Sequence, residues 1–191
     1  KIETRRLTDA FEAKGALPPE APLAQDEQLE LYADPANARV LGRGDGTSVD
    51  QLIARHCARA GERDYLAILA YVEMSPAHRM LLQRLRHAIR DTRRVASCVG
   101  FGPRFLHSTG QVYKGGPNSG VFLQITCRDA ADLAVPGRRY SFGVVKAAQA
   151  RGDLEVLATR GRRVLRVHVV GDLLEGLDRI VHAVEQHAGT N

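Results

Sequence analysis

The chain is poor in the residues that support several common chemistries. It has 191 residues but no tryptophan, two methionines, five phenylalanines and five tyrosines. So few rings make a base-stacking nucleic-acid surface a weak reading. Its three cysteines, Cys57, Cys98 and Cys127, are odd in number and lack a CxxC spacing. That disfavours a disulfide framework, a zinc cage and a redox pair, and a reducing, cytoplasmic setting is expected. His56, His78, His87, His168 and His182 show no ligand spacing such as HxxxH, so no metal is expected. There is no GxSxG elbow. The Gly42-Arg43-Gly44-Asp45-Gly46 run lacks the Lys-Ser/Thr of a phosphate loop and reads as a turn. No apolar run approaches the ~20 residues of a membrane span, so no membrane partner is expected.

What is present is a charge asymmetry and a periodic apolar pattern. Lys and Arg number 27 against 22 Asp and Glu, a net charge of +5. Residues 1–34 carry four basic and eight acidic side chains, so the remainder carries +9. A basic body suits an anionic ligand such as a phosphorylated metabolite. The cluster Arg84, Arg86, Arg90, Arg93 and Arg94 reads as a solvated helix face rather than a nucleic-acid surface.

Residues 1–14 have helical periodicity, with Ile2, Leu7, Ala10 and Phe11 near one face. Gly15 ends that pattern, and Pro18, Pro19 and Pro22 mark an arm. The expected division is an N-terminal helix and linker arm, 1–27, followed by an α/β domain, 28–191. Strands are expected at 29–32, 65–71, 94–100, 121–126 and 163–169. Helices are expected at 49–60, 76–89, 142–150, 154–159 and 172–187, with a break at 151–153. Strands alternating with helices predict a three-layer αβα sandwich around a mostly parallel five-stranded sheet. Such sheets bind ligands beyond the carboxyl ends of their strands, so the loops after Tyr32, Tyr71, Gly100 and Thr126 are the ones to watch. The chain opens at Lys1 within a helical pattern, which suggests a piece of a longer polypeptide.

The chemistry concentrates in GFGPRFLHSTGQVYKGGPNSG, residues 100–120, which follows an expected strand. It holds Arg104, His107, Ser108, Thr109, Gln111 and Lys114 among six glycines. Glycines let backbone N–H groups approach a ligand. Ser, Thr and Gln bind hydroxyls, Arg and Lys bind phosphate, and a His near neutrality moves protons. A sugar-phosphate site fits that set, and an ordinary polar loop is the plain alternative. A second candidate is Lys146 in YSFGVVKAAQ, a cation one turn into an apolar helix start, pointed into a site or snorkelling. A third is Asp91, next to Arg90, the only carboxylate between the 76–89 helix and the following strand. A carboxylate is mildly unfavourable at a helix C-terminus.

The runs GFGPRFLHSTGQVYKGGPNSGVFLQIT and YSFGVVKAAQARGD closely resemble the carboxyl-terminal end of bacterial transaldolase/glucose-6-phosphate isomerase fusions. The resemblance extends over roughly residues 1–188. In that family the isomerase part consists of two sugar-isomerase (SIS) α/β subdomains, and this chain resembles the second, with its connecting arm. The resemblance implies reversible interconversion of glucose 6-phosphate and fructose 6-phosphate, without metal or nucleotide. It implies that His107, at the HSTGQ motif, helps open the sugar ring with Lys146. Lys146 matches a family lysine at a helix start, though its spacing from Gly143 is shorter than in the standalone enzymes. The family's proton-shuttling glutamate has no counterpart at 88–105. Asp91, one methylene shorter, is the nearest match, or the base comes from another segment. Arg104, Ser108, Thr109, Gln111 and Lys114 would contact substrate. The Ser/Thr-rich loop that holds most of the substrate phosphate belongs to the first subdomain and has no counterpart here. The implied partners are a sugar phosphate, the rest of the fused polypeptide and a second copy in a homodimer, with the chain inactive alone. A non-catalytic sugar-phosphate-binding SIS module is the alternative.

Overall fold

A computed structural model describes residues 2–42 and 46–186. Positions 43–45 of the 42–46 glycine-rich run and the expected end of the last helix at 187 lie outside the described residues. The elements in chain order are α1 (Ile2–Lys14), β1 (Ala24–Gln25), β2 (Leu29–Tyr32), α2 (Pro35–Leu41), α3 (Val49–Ala58) and β3 (Tyr65–Tyr71). There follow α4 (Pro76–Arg93), β4 (Ala96–Phe101), a 3-10 turn (Arg104–His107) and α5 (Thr109–Gly115). The chain continues through β5 (Gly120–Cys127), α6 (Phe142–Thr159), β6 (Arg163–Val169) and α7 (Leu173–Gln186).

The helix starts are written locally. Asp34 caps α2, and Ser48 forms a reciprocal capping box with Gln51 at α3. Ser75 caps α4, with Pro76 in its first turn. Ser141 caps α6, accepting from the Val144 N–H. The apolar runs become inner strands because helices cover both faces. β3 is buried over almost its whole length, and β5 from Gly120 to Thr126.

The sheet has six strands in the order β1-β2-β6-β5-β3-β4. β3, β4, β5 and β6 are mutually parallel, and β2 runs antiparallel to β6. The expected five-stranded sheet gains a two-residue edge, β1, paired antiparallel with β2. Residues 151–153 do not break the helix there. α6 runs through them, and α1 packs so closely that a Cβ on Gly152 would lie 3.1 Å from Glu3 Cβ. The short helix α2 was not expected.

Two apolar layers flank the sheet. On one face Ile68, Leu123 and Leu165 meet α3, α4 and α7 through residues such as Ile53, Leu85 and Ile180. On the other face Leu69, Phe122 and Val164 meet α6 through Ala150, Leu154 and Leu157. α1 lies against α6, and the arm between α1 and β1 runs along that side. The result is a three-layer αβα sandwich.

Candidate functional site

From β3 the chain crosses through α4 to β4, the edge strand. From β4 it returns past β3 to β5, then crosses through α6 to β6. The direction of winding therefore reverses between β3 and β5. In open α/β sheets a crevice forms beyond the carboxyl ends of strands at such a reversal. The segments that gather there follow Tyr71, Phe101 and Cys127.

The segment after β4 is folded on itself more tightly than a ligand loop. Phe105 is buried and meets Tyr71 edge to face, with ring centroids 5.4 Å apart. A Cβ on Gly102 would sit 2.7 Å from Phe105 Cε1, so that glycine serves ring packing. Gln111 Nε2 donates to the Leu106 carbonyl at 2.6 Å. Arg104 is exposed and donates to Met74 Sδ at 3.4 Å. His107, Ser108 and Thr109 are exposed.

Lys114 faces inward. Its Nζ lies 2.6 Å from Asp153 Oδ1 on α6, with the two side chains 18% and 3% exposed. Burial raises the Asp153 carboxyl above its ordinary range, against the lowering effect of Lys114. Arg162 holds the end of the same short helix, donating to the Lys114 and Gly116 carbonyls at 2.9 and 2.6 Å.

A cleft of about 610 Å³ opens between α1, α6 and the carboxyl ends of β5 and β6. Lys146 lines it and is ion-paired with Asp129. Asp132 holds the start of α6 by accepting from Gly143 N–H at 2.8 Å and from the Ser141 hydroxyl. Deeper in, Thr126 Oγ1 and His168 Nδ1 are 2.9 Å apart. Burial holds the His168 imidazole below its ordinary range. The Tyr32 hydroxyl donates to Glu30 at 2.6 Å, and burial, then that carboxylate, pushes its phenol up to about 12.

No family model matches the chain, and no curated protein matches it. Among solved structures it is similar to a hypothetical protein from Thermus thermophilus, with a TM-score of 0.58 at 14% identity. The match covers 80% of this chain and 42% of that one. The likeness is one of fold. The chain spans less than half the length of this neighbour.

Of the residues singled out in the sequence, the fold brings Lys146 alone into the cleft. His107, Arg104, Ser108 and Thr109 follow the carboxyl end of β4, around the turn that packs Phe105 against Tyr71, and do not line this cleft. Gln111 is exposed and bonded to the local Leu106 carbonyl, and Lys114 turns inward to Asp153. Asp91 requires a correction. It lies near the end of α4, 61% exposed and 2.6 Å from Arg90. That end of α4 feeds the amino end of β4, whereas His107 follows the carboxyl end. A strand of this length separates them by roughly 20 Å. Asp91 therefore cannot serve as base beside the His107 of its own chain. Among the described residues no group of three or more His, Cys, Asp or Glu side chains is arranged to hold a metal. No helix there is long and apolar enough to cross a membrane.

Sequence reasoning passed over the polar inner wall of this cleft. Arg166 and His168 alternate with Val164, Leu165, Val167 and Val169 along β6, and Glu30 and Tyr32 alternate with Leu29 and Leu31 along β2. A two-residue period of charged side chains within otherwise buried strands was the available signal.

Proposed function

We propose that the chain is the second SIS subdomain of a glucose-6-phosphate isomerase, in a polypeptide that also carries a transaldolase. The reading rests on the HSTGQ, KGGP and FGVVK motifs. The observation that carries it furthest is the placement of HSTGQ and FGVVK after the carboxyl ends of β4 and β5, whereas KGGP leads into the amino end of β5. Lys146 lines a cleft next to the winding reversal, while His107 stands exposed after the carboxyl end of β4. An exposed histidine suits delivery across a dimer interface, which the resemblance implies.

In this reading His107 and Lys146 open the pyranose ring, one taking the hemiacetal proton and the other protonating the ring oxygen. A carboxylate then removes the proton from C2 and returns it to C1 through a cis-enediol. We assign that carboxylate to a segment outside this chain, since Asp91 lies at the wrong end of β4. Charge on the enediolate needs a cation or backbone N–H groups nearby. The phosphate group is held chiefly by the first subdomain, so the isolated chain lacks most of the positioning that such catalysis requires.

Coupled assay of glucose-6-phosphate isomerisation tests this reading. The intact parent protein should turn over substrate and the 191-residue chain alone should not. An active isolated chain would overturn the split site. A parent that binds the sugar phosphate without isomerising it would favour the non-catalytic module.

A further inference from the structure

The arm between α1 and β1 places one carboxylate between two guanidinium groups. Glu20 Oε2 is ion-paired with Arg151 Nε at 2.6 Å and accepts from Arg166 Nη2 at 2.8 Å. Arg151 also donates to the Pro18 carbonyl at 2.6 Å. Arg166 is 4% exposed and its guanidinium carbon lies 4.1 Å from the centroid of the Tyr32 ring. A buried guanidinium requires a charged or hydrogen-bonding partner. Here the carboxylate that supplies it sits on an irregular segment flanked by Pro18, Pro19 and Pro22, not on a helix or strand.

Two clefts meet at this point. One of about 580 Å³ is lined by Glu20, Tyr32 and Arg151. The other, of about 610 Å³, is lined by Tyr32, Arg151, Arg166 and His168, and leads to Lys146. The Glu20 bridge stands at the wall they share. Each is within the size range of a small-molecule site.

We propose that Arg151 and Arg166 form an anion-binding site, that Glu20 is its tethered occupant, and that a phosphate-bearing small molecule displaces Glu20. Two guanidinium groups converging on a single carboxylate oxygen leave donors that a tetrahedral phosphate satisfies better. It offers three acceptor oxygens and up to twice the charge. Displacement of Glu20 would join the two clefts and leave the Pro18 carbonyl as the arm's bond to Arg151. Glu30, which accepts from Tyr32 on the same wall, is the like charge that a bound anion faces. The inference stands apart from the isomerase reading, because it concerns binding to this chain alone and needs no turnover.

Titration of the 191-residue chain with inorganic phosphate, followed by amide chemical shifts, tests it. Phosphate should shift the amides of Tyr32, Arg151 and the arm. Glu20→Gln should tighten phosphate binding at least tenfold by removing the tethered competitor. Arg151→Gln should weaken it at least tenfold. Arg151 is the variant of choice because Arg166 is buried, and retained far-UV circular dichroism establishes that both variants fold. Unchanged affinity in Glu20→Gln, or wild-type affinity in Arg151→Gln, overturns the proposal.

Discussion

Replacing Lys114 by methionine separates a structural lysine from a ligand-binding one. The ammonium group lies 2.6 Å from Asp153, whose side chain is 3% exposed. Lys114→Met keeps most of the side-chain length but leaves a buried carboxylate without its cation. Breaking one side of a buried ion pair costs ~3–5 kcal/mol. The lone Asp153 can reduce that cost only by taking up a proton, and burial already holds its carboxyl above the ordinary range with Lys114 in place. The sign of the pH dependence follows. A carboxyl raised in the folded state binds its proton more readily there than in the unfolded chain. Its penalty is therefore largest at high pH and shrinks as pH falls. Urea denaturation followed by far-UV circular dichroism should show Lys114→Met destabilised by ~3–5 kcal/mol at pH 7, and by less at pH 5. The double variant Lys114→Met/Asp153→Leu should recover much of the loss, since it removes both charges together. A single variant within ~1 kcal/mol of wild type at pH 7 would refute the buried pair and return Lys114 to the ligand-binding set.

Two further outcomes follow from the core. His56 is fully buried, with Nε2 3.0 Å from the Phe122 carbonyl oxygen and no partner for Nδ1. Burial pushes its pKa down to about 3 from 6.5, so its stabilising contribution is complete above pH 6.5 and is lost as pH falls toward 3. Between pH 7 and pH 5 that amounts to ~2 kcal/mol. His56→Leu should flatten the stability–pH curve by about this amount, while His168, lowered in the same direction, keeps part of the slope. Identical slopes in the two proteins would remove His56 from the account. Gly120→Ala would put a Cβ 2.3 Å from Phe122 Cζ and 2.9 Å from Tyr65 Oη. Phe122 is held between Tyr65 and Tyr113, with ring centroids 6.0 and 5.2 Å away, so the ring cannot swing clear. The expected loss is ~1–3 kcal/mol in chemical denaturation, and a negligible change would mean that the ring has room.

The fold is legible where apolar residues form continuous or periodic runs. YLAILAY is β3, and the spacing of Leu82, Leu85 and Ile89 marks the inner side of α4. β1 is not legible because two residues cannot display an alternation. Within the HSTGQ run, α5 is seven residues long, too short for a helical period to stand out. Gly152 reads as a breaker in sequence, whereas α6 tolerates it because α1 closes over the helix there.

The site is legible only in part, because a side chain's partner is set by topology. Lys146 stands out as a cation in an apolar helix start. Nothing local to KGGP shows that Lys114 turns inward toward Asp153 across 39 residues. The pairing of Glu20 with Arg166 spans 146 residues. Asp91 is close to His107 in sequence, but β4 carries the chain to the opposite end of the sheet between them.

The isomerase rate of the intact parent protein, with wild type beside His107→Ala and Lys146→Ala, tests the central claim most directly. The account predicts an active wild type, with each substitution lowering kcat by about 10²-fold or more. Full activity in both variants would contradict it and reduce the HSTGQ segment and Lys146 to scaffold.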